Sequence, residues 1–139
     1  QAQRNGDSLA MMFIDLDDFK KVNDVCGHHV GDALLVEVAK RIHQRLRASD
    51  TVFRIGGDEF VVLLSDVMQN QHLRAVGDKI ITTLSEPMRI DNCPCQIGAS
   101  IGIARYPDDG ENIDALLKAA DQAMYKAKQS GKNAVAFVA

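Results

Sequence analysis

The sequence predicts an α+β domain in which a central, mostly antiparallel sheet is flanked by helices. Three of the runs that favour strands are nearly all apolar, which indicates strands covered by helices. Two longer stretches carry apolar residues at helical spacing. The chain has 139 residues, of which 46% are hydrophobic and 25% charged, and this suits a single domain over residues 1–139.

The chain is expected to open with a strand and two helices. An apolar run over residues 9–15 is typical of a buried strand. A short helix follows over 18–25 and ends before Gly27. A long amphipathic helix is predicted from Gly31 to about Arg47, because apolar residues recur there at helical spacing, namely Leu34, Leu35, Val38, Ile42 and Leu46.

The rest of the chain predicts two pairs of strands, two further helices and a closing strand. Residues 51–55 and 58–64 are expected to form a β-hairpin, because the paired glycines between them accept positive φ without steric cost. Residues 88–90 and 96–104 are expected to form the second pair. The two helices and the closing strand are predicted over 71–85, 113–129 and 134–138.

The charge balance argues against a general nucleic-acid binder. Lys and Arg number 16 against 19 Asp and Glu, so no DNA or RNA partner is expected, although a nucleotide pocket needs only local charge. No apolar run has the length of a membrane span, and no signal peptide opens the chain. Because the sequence begins like the end of a helix, we expect a cytoplasmic fragment of a longer protein that can itself be membrane-tethered.

The three cysteines predict neither a disulfide framework nor a zinc site. Their number is odd and their spacing irregular. Cys93 and Cys95 flank a proline, but no second pair completes a set of zinc ligands. Reduced cysteines in a cytosolic setting are the simplest expectation.

Two acidic clusters lie at the ends of predicted strands, one at the end of the first strand and one at the start of the second strand of the hairpin. Asp15 and Asp17 point to the same face of a strand, and Asp58 and Glu59 follow the glycine turn. If the first strand lies beside the hairpin, Asp15 and Asp58 meet at one edge and repel each other unless a hard divalent cation neutralises them. Carboxylates that hold Mg²⁺ against phosphates are typical of nucleotidyl transfer. For either cluster alone, solvated carboxylates at a strand end are the favoured interpretation.

Three lysines can supply the matching positive charge. Lys20 follows the first acidic cluster, and Lys128 and Lys132 lie at the end of the last predicted helix and just beyond it. Lysines at a helix C-terminus are also favoured by the helix dipole alone. Taken singly, none of the three indicates a phosphate site.

Residues 56–60 read Gly-Gly-Asp-Glu-Phe, and residues 13–24 contain the pattern Asp-x-Asp-x-Phe-Lys-x-x-Asn-Asp. Together with the motifs above, these two blocks resemble the GGDEF family of diguanylate cyclases. Further blocks occur in the same order, namely 27–32, 99–104, 121–128 and 131–133. The resemblance covers the chain from about residue 9 to its end and implies a fold like that of nucleotidyl cyclases and polymerase palms.

The resemblance implies a metal site and a catalytic centre. Asp15, Asp58 and the backbone carbonyl of Leu16 would hold Mg²⁺ or Mn²⁺, and Glu59 would bind a second ion. Asp58 would serve as the base for the attacking 3′-hydroxyl, although metal-assisted deprotonation is an equal alternative. Lys20 would stabilise charge on the phosphates in the transition state.

The resemblance also implies how GTP is held. Lys128 and Lys132 would bind the triphosphate tail, although many family members have Arg in the place of Lys132. Asn23, His28 and Asp32 would form the guanine and ribose pocket. Asp32 suits guanine, because its carboxylate can accept from the N1–H and N2–H donors of that base.

Catalysis in this family joins two GTP molecules into cyclic di-GMP between two facing domains, so a homodimer is implied. Arg47 and Asp50 have the spacing of the family's Arg-x-x-Asp product-inhibition site, where Arg47 would grip the ligand and Asp50 would accept from guanine. A polar helix end explains the same two residues without a ligand.

Two other functions remain open from the sequence. The family's opening helix and Asp-x-Leu-Thr segment are missing ahead of Leu9, so the fragment is expected to turn over weakly. Some family members bind GTP or cyclic di-GMP without synthesis and control an attached EAL-type phosphodiesterase, but they often lose acidic residues that are intact here. A general ferredoxin-like interaction domain leaves the acidic and guanine blocks unexplained.

Overall fold

The computed structural model describes residues 8–66 and 69–138. In this part of the chain, seven strands and four helices follow one another in the order β1 Leu9–Asp17, α1 Phe19–Cys26, α2 His28–His43, β2 Thr51–Gly56, β3 Glu59–Ser65, α3 Asn70–Ser85, β4 Met88–Ile90, β5 Cys93–Cys95, β6 Gly98–Tyr106, α4 Ile113–Gln129 and β7 Val135–Phe137.

Five of the strands form the central sheet, in the order β2-β3-β1-β6-β7. All neighbours in it are antiparallel except β6 and β7, which are parallel. The predicted α+β class with a mostly antiparallel sheet is therefore confirmed. Strand β1 lies in the middle, so the polar residues at its end sit between β3 and β6.

Helices cover both faces of the sheet. Successive side chains of β1 therefore point alternately into two hydrophobic cores, one on each face. Met12 and Ile14 pack with α1, α2 and α3 in the larger core, whereas Met11 and Phe13 pack with α4 in the smaller one. Near-complete burial of both sets explains why this strand is an uninterrupted apolar run.

Helix α4 lies directly against β6 at Gly102. A Cβ atom at this position would come within 2.1 Å of the carbonyl oxygen of Ala120 and 2.2 Å of the amide nitrogen of Met124. No side chain fits there, so the glycine lets the helix and the strand approach to backbone contact.

The second pair of strands differs from the prediction. Met88–Ile90 pairs with Cys93–Cys95 in a separate two-stranded sheet, not with residues 96–104. Asp91 and Asn92 both adopt positive φ, of 49° and 67°, and so close a two-residue hairpin turn. The 96–104 segment instead contributes β6, an interior strand of the central sheet.

The long second helix also differs at both ends. It begins at His28 rather than Gly31 and ends at His43 rather than near Arg47. Gly27 has φ +92°, which ends α1 and lets α2 begin at the next residue.

The expectation that the cysteines form no disulfide is wrong for one pair. Cys26 at the end of α1 and Cys93 on β5 are disulfide-bonded, with their Cα atoms 6.1 Å apart. They are 67 residues apart in sequence, so their spacing carries no sign of this contact. Cys95 is free and buried.

None of the helices in the described segments is both long and apolar enough to cross a bilayer.

Candidate active site

A cleft of about 570 Å³ opens where β1 ends, beside the β2–β3 turn, the start of α1 and the end of α4. Six residues predicted to carry chemistry line it, namely Asp15, Leu16, Lys20, Asp58, Lys128 and Lys132. These residues come from four separate stretches of sequence, and the antiparallel pairing of β1 with β3 brings the acidic ones together.

The two acidic clusters meet as the sequence predicted. Asp15 is the register partner of Glu59, and the Leu16 N–H donates to the Asp58 carbonyl at 3.1 Å. Gly57 has φ +46°, a left-handed turn conformation that suits glycine and starts β3 immediately after Asp58.

Crowding of carboxylates alters how they titrate. Burial, and then the charge of Asp58, raise the pKa of Asp15 to about 6, although Lys128 acts in the opposite direction. The pKa of Glu59 is also raised, first by burial and then by the nearby charges of Asp121 and Asp58. The site therefore concentrates negative charge that a bound cation would relieve.

The donor set fits a hard divalent cation such as Mg²⁺ or Mn²⁺. Asp15, Asp58 and the backbone of Leu16 offer oxygen atoms only, at one edge of the sheet. Within residues 8–66 and 69–138, no three acidic, histidine or cysteine side chains converge into a metal site of their own. Few protein ligands are what Mg²⁺ needs, since it completes its coordination with water and substrate phosphates.

Lys128 reaches into the acidic cluster. Its Nζ lies 2.9 Å from Asp17 Oδ1 and 3.5 Å from Asp15 Oδ1. Burial lowers the pKa of Lys128, but the hydrogen bond to Asp17 and the charges of both carboxylates leave that pKa raised overall. The ammonium is thus held in place, charged, beside the carboxylates.

Asp17 was not among the residues predicted to bind or react. Its side chain is only 3% exposed and accepts hydrogen bonds from Ser100 Oγ, Lys128 Nζ and the Asn133 N–H. The Asp-x-Asp spacing placed it on the same face as Asp15, which was the one available signal.

The two other lysines are less constrained. The Lys20 side chain is 89% exposed and lies 3.5 Å from Asp24, its i+4 neighbour on α1. Lys132 is exposed on the turn after α4, with φ +65°.

The predicted guanine residues lie beside the acidic cleft but do not line it. His28 and Asp32 are exposed on the first turns of α2, and Asp32 borders a separate hollow of about 470 Å³. Asn23 packs against Gly31, where a Cβ would lie 1.8 Å from its Oδ1. That oxygen is buried without a hydrogen-bond partner among the described residues.

Arg47 and Asp50 bind each other. Arg47 Nε and Nη2 donate to the two oxygens of Asp50 at 3.0 Å each, and the Arg47 N–H and Ser65 N–H also donate to them. The Asp50 side chain is 2% exposed, whereas that of Arg47 is 48% exposed. Arg47 borders a hollow of about 520 Å³ with Asp66 and residues of α3.

Comparison with known proteins finds a family model described as the GGDEF domain of diguanylate cyclases, which matches residues 1–134. MucR of Pseudomonas aeruginosa, a bifunctional diguanylate cyclase and cyclic di-GMP phosphodiesterase, is 46% identical over 99% of this chain. The chain spans 20% of the length of MucR.

Solved structures agree with the fold. The GGDEF domain of TpbB from Pseudomonas aeruginosa superposes with a TM-score of 0.94 at 40% identity, covering 99% of this chain and 86% of that one. The GGDEF domain of DgcB from Caulobacter crescentus, solved with cyclic di-GMP, gives a TM-score of 0.85 at 26% identity, covering 94% and 78%.

Proposed function

This chain belongs to the GGDEF domain family of diguanylate cyclases, and from that premise we propose that it condenses two GTP molecules into cyclic di-GMP. Each 3′-oxygen attacks the α-phosphate of the other nucleotide and releases pyrophosphate, so two domains must face each other. The observation that carries the proposal is the cleft in which Asp15, Asp58 and Lys128 converge.

The acidic residues of the cleft are assigned to the divalent cation. We assign Asp15, Asp58 and the Leu16 carbonyl to hold Mg²⁺ or Mn²⁺, with Glu59 reaching a second ion. When bound, the cation supplies neutralisation of phosphate charge and activation of the 3′-hydroxyl. Asp58 is the carboxylate we assign to accept the hydroxyl proton.

Cationic and polar side chains then hold the nucleotide. Lys128 and Lys132 bind the triphosphate tail, and Lys20, on its exposed position, turns to the phosphates as charge develops. Asn23, His28 and Asp32 are assigned to guanine and ribose. The exposed carboxylate of Asp32 supports this assignment, because it can accept from the N1–H and N2–H donors of guanine.

The test is incubation of the purified domain with GTP and Mg²⁺, with product followed by chromatography. Wild type is expected to form cyclic di-GMP, and Asp58→Ala to lose it by about 1000-fold, because a carboxylate of the metal site is removed. Asp78→Asn, an exposed carboxylate on α3, is the matched control and should keep full activity. An Asp58→Ala variant as active as wild type would contradict the proposal.

A domain that forms no product is then fused to a dimerising coiled coil and tested again. Activity regained supports the cyclase. Continued absence of product together with measurable GTP binding supports instead a regulatory domain that controls an attached phosphodiesterase.

Product inhibition is assigned to Arg47. The half-exposed guanidinium of Arg47 is the part of the Arg47–Asp50 pair that a ligand can reach. The buried Asp50 carboxylate orients this guanidinium through two hydrogen bonds. Arg47→Ala is expected to weaken inhibition by cyclic di-GMP about tenfold or more, since a charge-assisted contact is lost. Initial rates at rising product concentration measure this, and unchanged inhibition would exclude Arg47 from the site.

A further inference from the structure

We propose that Asp17 is a positioning residue that sets both lysines assigned to the triphosphate tail, Lys128 and Lys132. The proposal rests on the assignment of those lysines to GTP. Asp17 does not line the acidic cleft, so any effect of it on the nucleotide passes through other residues.

The carboxylate of Asp17 is buried, and both of its oxygens accept hydrogen bonds. Oδ1 accepts from Ser100 Oγ and Lys128 Nζ, both at 2.9 Å, and Oδ2 accepts from the Asn133 N–H at 2.8 Å. A buried charge is tolerated only with partners of this kind. Asp17 therefore joins the end of β1 to β6, to α4 and to the turn after α4.

The link to Lys128 is direct. A lysine side chain has four rotatable bonds, and an exposed one samples many positions, as Lys20 can with 89% of its side chain exposed. Lys128 is 25% exposed and paired to a carboxylate that the middle strand of the sheet holds still. The ammonium is thereby fixed 3.5 Å from Asp15, on the wall of the cleft.

The link to Lys132 passes through the backbone. Lys132 and Asn133 have φ of +65° and +51°, two successive left-handed residues that need an anchor because the conformation is unfavourable for L-residues. Asp17 supplies it by accepting the Asn133 N–H, while the Asn133 side chain accepts from the Ala99 N–H at 3.2 Å. The turn that carries Lys132 is fastened at this point.

The test is Asp17→Asn in the intact domain, with binding measured by calorimetry. The probe is 3′-deoxy-GTP, which lacks the attacking hydroxyl and cannot react, and GMP serves as the probe without a triphosphate tail. We expect affinity for 3′-deoxy-GTP to fall about tenfold or more, and affinity for GMP to change less than about twofold. Equal losses for both probes, or no loss for either, would overturn the proposal.

Two further variants separate positioning from simple support of the fold. Ser100→Ala removes another buried hydrogen bond to Asp17 but touches neither lysine, so it should leave both affinities unchanged. In the double variant with Lys128→Gln, the Asp17→Asn effect on 3′-deoxy-GTP should shrink to the part carried by Lys132. Full additivity, or a Ser100→Ala loss as large as that of Asp17→Asn, would contradict positioning.

Failure of the cyclase proposal is distinguishable from failure of this one. A wild-type domain that binds 3′-deoxy-GTP but forms no cyclic di-GMP still decides the role of Asp17 through binding. A wild-type domain that binds no guanine nucleotide refutes both proposals. Should Asp17→Asn not fold, which thermal unfolding reveals, Asp17→Glu replaces it, because it keeps the charge but moves the carboxylate relative to Lys128 Nζ and the Asn133 N–H. It should show the same selective loss for 3′-deoxy-GTP, and equal losses for both probes, or no loss for either, would overturn the proposal.

Discussion

The two ends of the nucleotide site that we propose are built differently. At the phosphate end, Lys128 is held between Asp15 and Asp17 at the middle of the sheet, and each of the three has a partner. At the base end, His28 and Asp32 stand exposed on the first turns of α2. The side chains at the phosphate end are thus held by one another without a ligand, whereas we expect those at the base end to be ordered only when guanine binds.

Because of this difference, we expect the two ends to contribute differently to the stability of the fold and to nucleotide binding. Residues at the phosphate end contribute to both, because their charges are already desolvated in the folded protein. Residues at the base end are expected to contribute to binding and hardly to stability, since solvent surrounds them in the folded protein. Three experiments test this difference.

The largest expected effect is on the stability of the phosphate end. Lys128→Gln should lower the free energy of unfolding by about 3 kcal/mol, because it leaves the buried Asp17 carboxylate without its cation. Lys20→Gln should lower it by less than about 0.5 kcal/mol, because that pair is exposed. Urea unfolding of both variants makes the comparison, and similar losses would show that Lys128 is no more fixed than Lys20.

The next effect concerns pH. The pKa of Asp15 lies above its ordinary value, at about 6, so the folded state holds this proton more tightly than the unfolded chain. Its contribution to stability is therefore present at low pH and lost as pH rises from about 4 to 6. Without divalent cations, Asp15→Asn should stabilise the fold above pH 6 by about 2 kcal/mol and remove this dependence.

Urea unfolding of wild type and Asp15→Asn across that range, in the presence of a chelator, measures the effect. Asp78→Asn, on the exposed face of α3, should follow wild type. A gain in stability that is as large at pH 4 as at pH 7 would show that titration of Asp15 is not its cause.

The smallest effect belongs to the base end. Asp32→Ala should weaken binding of 3′-deoxy-GTP about tenfold, because the carboxylate no longer accepts from guanine. The free energy of unfolding should change by less than about 0.5 kcal/mol, since the side chain is exposed. Calorimetry and urea unfolding on one preparation test both halves, and a loss of stability without a loss of affinity would reverse the contrast.

Patterns local in sequence predicted most of the fold. Helical spacing predicted α2 and α4, the glycine at position 27 indicated the end of α1, and the paired glycines predicted the β2–β3 hairpin. The pairing of β4 with residues 96–104 was wrong, because Asp91 and Asn92 adopt left-handed turn conformations that close a shorter hairpin. The disulfide between Cys26 and Cys93 depends on packing between distant segments, which spacing does not reveal.

The site was predictable where its residues share a strand end. Because β1 pairs with β3 of the hairpin, Asp15 and Asp58 lie close together, and the sequence predicted this proximity for that arrangement of strands. The contacts of Asp17 were not predictable, because its partners Ser100, Lys128 and Asn133 are 83, 111 and 116 residues away in sequence. The engagement of Asp50 with Arg47 likewise depends on rotamers that a two-residue motif does not specify.

At Gly102, the backbone of α4 rests directly on the backbone of β6. Met124, whose amide sits over that glycine, is four residues before Lys128, about 6 Å along the helix. A methyl group added to β6 would have to lift the helix, and the lysine would travel with it while every cleft residue stayed unchanged in identity. The position of the Lys128 ammonium is thus set partly by the absence of a side chain at Gly102.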